Sequence, residues 1–495
     1  MLFNSLNFII FLFAIVVIYY LLPKNNWRKV FLLGASYYFY ACFDLTMLPI
    51  LLAVTGVAYA YGRISERDIL KRVQDNSVAD SQSVNQNNDK ALLAITIVLL
   101  LLPLLAFKYL DFLMDSMTDM LSLASLTIEM PDFELFLPIG ISFYTFMAVG
   151  YVVDVYKSKV PVEKNLLDFA LFLGFFPQIA SGPIGRAGQV IPQLKEKQPL
   201  LYSNLSAGTK MMLWGFFMKL VVGDRAGIYV DTVFSNYMYH NGVSLILATF
   251  MYTIQIYCDF AGYSLIAIGA ARTMGIELIE NFRRPYFATS VANFWHKWHI
   301  SLSTWFRDYV YFPCGGSRCS KLKMYRNLMI TFLVSGLWHG AAYNFIIWGG
   351  YHGVNQIFGR MFQPVRDKMR NILHIGDDSN VRRILDIFMT FCLVAYGWML
   401  FYAPDMQFIV DVTKGYFNFG MPYVHQTTIF FFGIGFAILF LKDYKDEYLT
   451  EYAIALSQKY PKMTVACDYL KYAFISILIV WIGVLGGGQF IYFKF

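Results

Sequence analysis

The chain has 495 residues, of which 57% are hydrophobic and only 15% charged, against about 25% charged in a soluble globular domain. Its mean hydropathy is +0.49, and its 40 Lys+Arg and 33 Asp+Glu cluster between apolar runs long enough to cross a hydrocarbon core of about 30 Å. The net charge of +7 lies in short loops, where membrane topology and anionic headgroups account for it; no basic array interleaves with aromatics as nucleic-acid binding requires.

The length would allow two or three soluble domains, but there is little hydrophilic sequence from which to build one. Residues 6–22 read as a retained first span, lacking the basic start and small-residue cleavage site of a signal peptide. Lys24, Arg28 and Lys29 follow, then apolar segments 30–42 and 46–61 divided by Asp44. Residues 62–90 are polar and end in NSVADSQSVNQNNDK, with almost nothing to bury. After a span at 91–110, residues 111–134 carry six acidic residues and no Lys or Arg, and span 136–156 is followed by Lys157, Lys159 and Lys164. Positive charge marks the cytoplasmic side. One orientation satisfies all these loops: N-terminus outside, 23–29, 62–90 and 157–165 inside, 111–134 outside.

Further apolar segments at 166–182, 207–223, 243–271, 326–350, 383–403, 427–441 and 472–492 bring the expected total to about 11 spans. The chain reads as one all-α, polytopic membrane domain over 1–495, with a polar cytoplasmic loop at 62–90. Asp259, Gly262 and Gly269 interrupt segment 243–271 and predict a break or a re-entrant pairing there. Residues 281–325 are too polar for an ordinary span and too aromatic for a solvated loop. They read as an interfacial or re-entrant helix beside an internal cavity, and on a helix Trp295, His299 and Ser303 share one face.

Of seven histidines, His240, His374 and His425 lie in loop-like surroundings. His339 sits in an apolar run, TFLVSGLWHGAAYNF, flanked by small residues. Ionisable groups at such depth face a bundle interior or a pathway. Two readings fit it: a general base that takes a proton from a hydroxyl, or a histidine hydrogen-bonded across helices for structural reasons. His352 lies thirteen residues further on, near the far end of the same helix or just past it, and cannot easily share a level with His339 at 1.5 Å rise per residue. The pair in HKWH, His296 and His299, lacks the carboxylate of a zinc motif, so no metal site is expected. Cys314 and Cys319 in PCGGSRC have no partner pair and read as loop residues. Nucleophile-elbow, Walker A and dinucleotide motifs are absent. A transporter or an intramembrane transferase remains, and no internal repeat favours the transporter.

Several stretches together resemble the membrane-bound O-acyltransferase family, and within it the polysaccharide O-acetyltransferases typified by alginate O-acetylation. They are FLLGASYYFYACFD (31–44), LPIGISFYTFMAVGYVVDVYKSK (137–159), FALFLGFFPQIASGPIGRAGQVIPQL (169–194), the run from IYCDFAGYS to YFPCGG (256–316), SGLWHGAAYNFIIWGGYHG (335–353) and the closing FIYFKF (490–495). The resemblance implies a ring of transmembrane and shallow re-entrant helices around a central funnel. It makes His339 the essential histidine, and His299, in the W-x-x-W-H-x-S segment, the second catalytic one. It implies a bacterial cytoplasmic (inner) membrane enzyme that takes acetyl from acetyl-CoA or another acetyl thioester, without a permanently bound cofactor. A hydroxyl acceptor lies on the outer side, commonly through an extracytoplasmic SGNH-hydrolase-like partner that modifies a polysaccharide.

Arg283, Arg284, Lys297 and Arg307 are the candidate contacts for donor phosphates, or else anchors in lipid headgroups. Three positions depart from the alginate-type pattern. Leu265 follows GYS, where alginate-type members carry Asp and D-alanylation relatives carry Leu; His296 and Tyr402 stand where Arg is common. The length near 500 residues and FIYFKF favour the acetyltransferase branch. Its rivals are D-alanyl transfer to teichoic acid and a non-catalytic transport or scaffold component of a polysaccharide-modification complex.

Overall fold

A computed structural model describes residues 1–74, 81–123, 137–180, 182–372, 376 and 379–486. FIYFKF, residues 124–134 of the acidic stretch and His374 lie outside the described residues. Every regular element among the described residues is a helix. Seven are long and apolar enough to cross a membrane: Leu45–Glu66, Asp89–Ser122, Tyr202–Phe234, Gly242–Thr273, Asn380–Tyr402, Gln426–Tyr448 and Pro461–Ile482; Leu6–Leu21 and Ile141–Tyr156 are shorter apolar helices.

Two expected crossings are divided. Segment 166–182 is a helix Leu166–Gly174 followed, after Phe175, by a single turn Phe176–Ile179; Pro177 restricts the residue before it and opens that turn. Segment 326–350 is two helices, Lys321–His339 and Tyr343–Met361. The polar stretch 62–90 is narrower than its composition suggests, because helices Leu48–Gln74 and Ser81–Leu123 run into it from both sides. Its Glu, Arg, Lys and Gln are good helix formers by intrinsic propensity. Segment 243–271 is not broken. Gly242–Thr273 is one continuous helix of 32 residues, and its glycine and aspartate serve packing and pairing instead. A Cβ on Gly215 would lie 2.6 Å from the Gly262 carbonyl oxygen, so glycine at both positions lets two backbones approach.

The chain forms two compact units, Met1–Thr209 with Ala267–Ile279, and Lys210–Ile266 with Glu280–Phe495. In the first, Phe3, Phe8, Phe39 and Phe176 form an aromatic cluster with ring centroids 4.7–6.4 Å apart. Two of its basic loop residues are structural. Lys29 is buried against Asp168 at 2.6 Å, and the Arg28 guanidinium donates to the Leu22 and Gln198 carbonyls at 3.0 and 2.7 Å.

In the second unit, a π-helical segment Phe217–Gly223 joins Tyr202–Phe216 to Asp224–Phe234. It carries Lys219 inward to Asp224, 2.8 Å away, and to Asp259, with Tyr263 beneath the ammonium at 5.6 Å. All three charged side chains are buried. Removing one member of such a buried set leaves an uncompensated charge. Lys219→Met therefore lowers stability by about 3–5 kcal/mol, read as a fall in the thermal midpoint of the detergent-purified protein. Lys471→Met, which breaks the half-exposed pair with Asp468, changes it by about 1 kcal/mol or less.

Candidate active site

The candidate site lies wholly in the second unit and is built from two irregular backbone features. The first is at residues 290–306. Ser290 caps helix Val291–Lys297, its hydroxyl accepting the Asn293 N–H at 3.1 Å. The chain then turns through Trp298 and His299 into helix Ile300–Phe306. His299 has φ 42° and ψ 56°, the left-handed region, which among the described non-glycine residues only Ser158 and Arg284 share. This corrects the expectation of one continuous helix: Trp295, His299 and Ser303 do not share a face, because the helix stops between them.

Asn281 holds the turn. Its carbonyl accepts the Ile300 N–H at 2.9 Å and its Oδ1 the Ser301 N–H at 3.3 Å, while its Nδ2 donates to Ser264 Oγ at 3.1 Å. The sequence pattern did not single out Asn281. Its signal is geometric: a fully buried side-chain amide beside a strained histidine.

The second feature is the reversal between Lys321–His339 and Tyr343–Met361. A Cβ on Gly336 would lie 2.2 Å from the Phe345 carbonyl oxygen, and one on Gly340 would lie 2.0 Å from the Phe345 ring. Glycine at both places lets the two helices close on each other, leaving His339 as the last helical residue and 4% exposed. His352, expected on the same helix or just past it, is on the returning one. It therefore packs on the same indole as His339: Trp348 lies 4.9 Å from the His339 ring and 5.0 Å from the His352 ring.

Trp338 bridges the two expected catalytic histidines, its ring 4.8 Å from His339 and 6.0 Å from His299. Phe401 closes the far side of His339 at 5.2 Å, and Phe260 packs on His299 at 4.5 Å. His299 is 1% exposed, and neither of its ring nitrogens has a hydrogen-bond partner among the described residues. A buried imidazole in an aromatic shell favours its neutral form, which keeps one donor and one acceptor for chemistry. The same orphaned condition holds at His352, which fits against Gly397 with its Nε2 where a side chain there would begin.

The four expected phosphate contacts pair with three carboxylates. Arg284 donates to Glu447 at 2.7 Å and Lys297 pairs with the other Glu447 oxygen; Arg283 pairs with Glu280 and Arg307 with Asp308. Burial lowers the Arg284 pKa, but the hydrogen bond and charge of Glu447 more than offset it and raise it overall. Arg307 alone of the four lines a cavity of about 180 Å³, together with His296, Ser303, Ser335 and Arg360. Trp295 is one wall of that cavity, and its ring lies 5.0 Å from that of His352.

Residues 157–401 match the family model of the membrane-bound O-acyltransferases. The chain is 35% identical over 425 residues to the probable alginate O-acetylase of Pseudomonas aeruginosa, covering 85% of this chain and 75% of that one. It is 30% identical over 417 residues to the peptidoglycan O-acetyltransferase of Helicobacter pylori, covering 78% and 73%. With the teichoic acid D-alanyltransferase of Bacillus subtilis it shares 30% identity over 277 residues, 53% of this chain and 68% of that one.

Glu447 anchors two cations from the loop that carries His299. Glu447→Ala is expected to cost about 1–3 kcal/mol, more than Arg283→Ala at its exposed pair, in thermal unfolding of the purified protein.

Proposed function

The chain belongs to the membrane-bound O-acyltransferase family, and from that premise we propose that it moves an acetyl group from a cytoplasmic thioester across the membrane for O-acetylation of an exported or cell-surface polysaccharide. The observation that carries this reading is that the His339 and His299 rings both pack against one buried indole, Trp338, at 4.8 and 6.0 Å. Two relatives named for O-acetylation, aligned over most of both chains, support acetyl as the group transferred.

A neutral His339 takes the proton of the acceptor hydroxyl as its oxygen attacks the thioester carbonyl carbon. The carbon–oxygen bond forms, and the carbonyl electrons move onto oxygen in a tetrahedral intermediate. That oxyanion needs a preorganised donor, and the N–H of neutral His299 supplies one, with the Trp338 indole N–H beside it. Collapse expels the thiolate, which takes the proton from His339. The products are an acetyl ester and a free thiol, and both imidazoles return to their starting forms.

The donor's phosphates fit best at the cavity beside Trp295, which Arg307 and Arg360 both line; Arg283, Arg284 and Lys297 serve chiefly the local fold. The acetyl group leaves on the outer side to a hydroxyl of the polymer or of an extracytoplasmic SGNH-hydrolase-like partner. The membrane is the cytoplasmic one, with the N-terminus outside, because the basic loops then face inward. D-alanyl transfer is the rival supported by Leu265 and by the B. subtilis relative, which aligns with a smaller share of the chain.

Purified protein in lipid nanodiscs, given labelled acetyl thioester and glycan acceptors, tests the reading. His339→Ala is expected to lower acetyl transfer about 10²–10⁴-fold while eluting as a monodisperse species. Transfer at the wild-type rate overturns the general-base role. Mass analysis of the modified polymer separates acetyl from D-alanyl by the nitrogen in the ester group.

A further inference from the structure

We infer that Asn281 is a positioning residue for His299: it fixes the left-handed turn that aims the imidazole at the reacting carbonyl. The inference rests on the role assigned above to His299. A non-glycine residue held at φ 42° costs on the order of 1–3 kcal/mol and persists only where its surroundings over-determine it. Here Asn281 does so from below, its main chain and its side chain each taking one bond. Through its carbonyl and its Oδ1, Asn281 satisfies the two N–H groups that immediately follow His299, Ile300 and Ser301, which the helix starting there leaves without internal partners. Its Nδ2 is in turn fixed by Ser264 Oγ, on the long helix that also carries Phe260 against the His299 ring. The far side of the turn is closed by Ser303, whose hydroxyl donates to the Trp298 carbonyl at 3.1 Å and whose N–H donates to the His299 carbonyl at 2.9 Å.

The histidine itself makes no side-chain hydrogen bond among the described residues. Nothing bonded to the ring holds it, so its direction is set by the backbone beneath it and by the packing of Phe260 and Trp338. An imidazole turned by more than the roughly 10–20° that catalytic geometry tolerates loses its aim at a developing oxyanion. Asn281 thus acts on the chemistry only through residue 299.

The test is a double-mutant cycle on acetyl transfer in nanodiscs. Asn281→Ala is expected to lower kcat about 10–100-fold with KM within about twofold, and to have no further effect in a His299→Ala background. An equal loss in both backgrounds, or a KM effect alone, overturns the positioning role. Wild-type activity of His299→Ala alone instead removes the reading of His299 on which the inference stands. Where His299→Ala leaves no measurable turnover, a cryo-electron microscopy map of Asn281→Ala decides. A residue 299 that leaves the left-handed region, with its ring turned from Trp338, supports the inference; an unmoved ring overturns it.

Discussion

Hydrocarbon supplies no hydrogen bonds, so each polar group that this chain carries inward must be answered by another residue or left unpaired at a cost. Most are answered. Lys219 meets Asp224 and Asp259, Lys29 meets Asp168, and Tyr257 donates to the buried Asp443 at 2.9 Å. These groups explain why charged residues occur inside apolar segments without making those segments loops. Others are not: among the described residues the Gln178 amide and the indole N–H groups of Trp348 and Trp398 are buried without a hydrogen-bond partner, and so are two histidines. His299 and His352 are buried, polar and without hydrogen-bond partners on their rings among the described residues. At His299, which packs on the same indole as His339, the unpartnered ring nitrogens leave a donor and an acceptor available to a substrate.

The two catalytic candidates reach one indole by opposite means. His339 arrives through the absence of side chains: glycines at 336 and 340 let the helices of the reversal close until Phe345 fills the space. His299 arrives through strain, a left-handed residue braced by Asn281 and Ser303. Close packing and strain share a consequence, since neither leaves the ring much freedom. The rings then lie in a wall of Trp338, Trp348, Phe401 and Phe260, whose faces offer dispersion and few competing polar groups. The preorganisation that acyl transfer needs is thereby built from backbone geometry rather than from a network of side-chain hydrogen bonds.

The all-helical membrane fold was legible because apolar runs of span length separate the charge clusters. His339 was legible because a lone histidine in such a run is expensive. What escaped has physical reasons. Hydropathy counts residues and is blind to a reversal made by Gly340, Ala341 and Ala342, so 326–350 reads as one crossing. It is equally blind to an aspartate neutralised by a lysine forty residues away, so 243–271 reads as broken where Lys219 keeps it whole. Helical spacing places Trp295, His299 and Ser303 on one face, yet no propensity scale encodes a left-handed histidine. Charge alone marks Arg284 and Lys297 as cations open to a phosphate, and is blind to Glu447, 163 and 150 residues further along the chain, which bonds both.

The same shell bears on a difficulty of the proposed chemistry. A thioester activated by a general base and an oxyanion donor is as open to water as to a sugar hydroxyl, and water is far more abundant. Selectivity for the alcohol therefore depends on who reaches His339. An aromatic wall that leaves the ring 4% exposed gives water few places to bind, whereas a sugar brings apolar faces that pack on indole rings and holds its hydroxyl in place with binding energy made elsewhere on the polymer or partner. The unpaired state of His299 fits the same logic: a donor with no protein acceptor to leave has no competing bond to break when the oxyanion forms. On this account the aromatic residues around the histidines decide transfer against hydrolysis, and the histidines decide the rate.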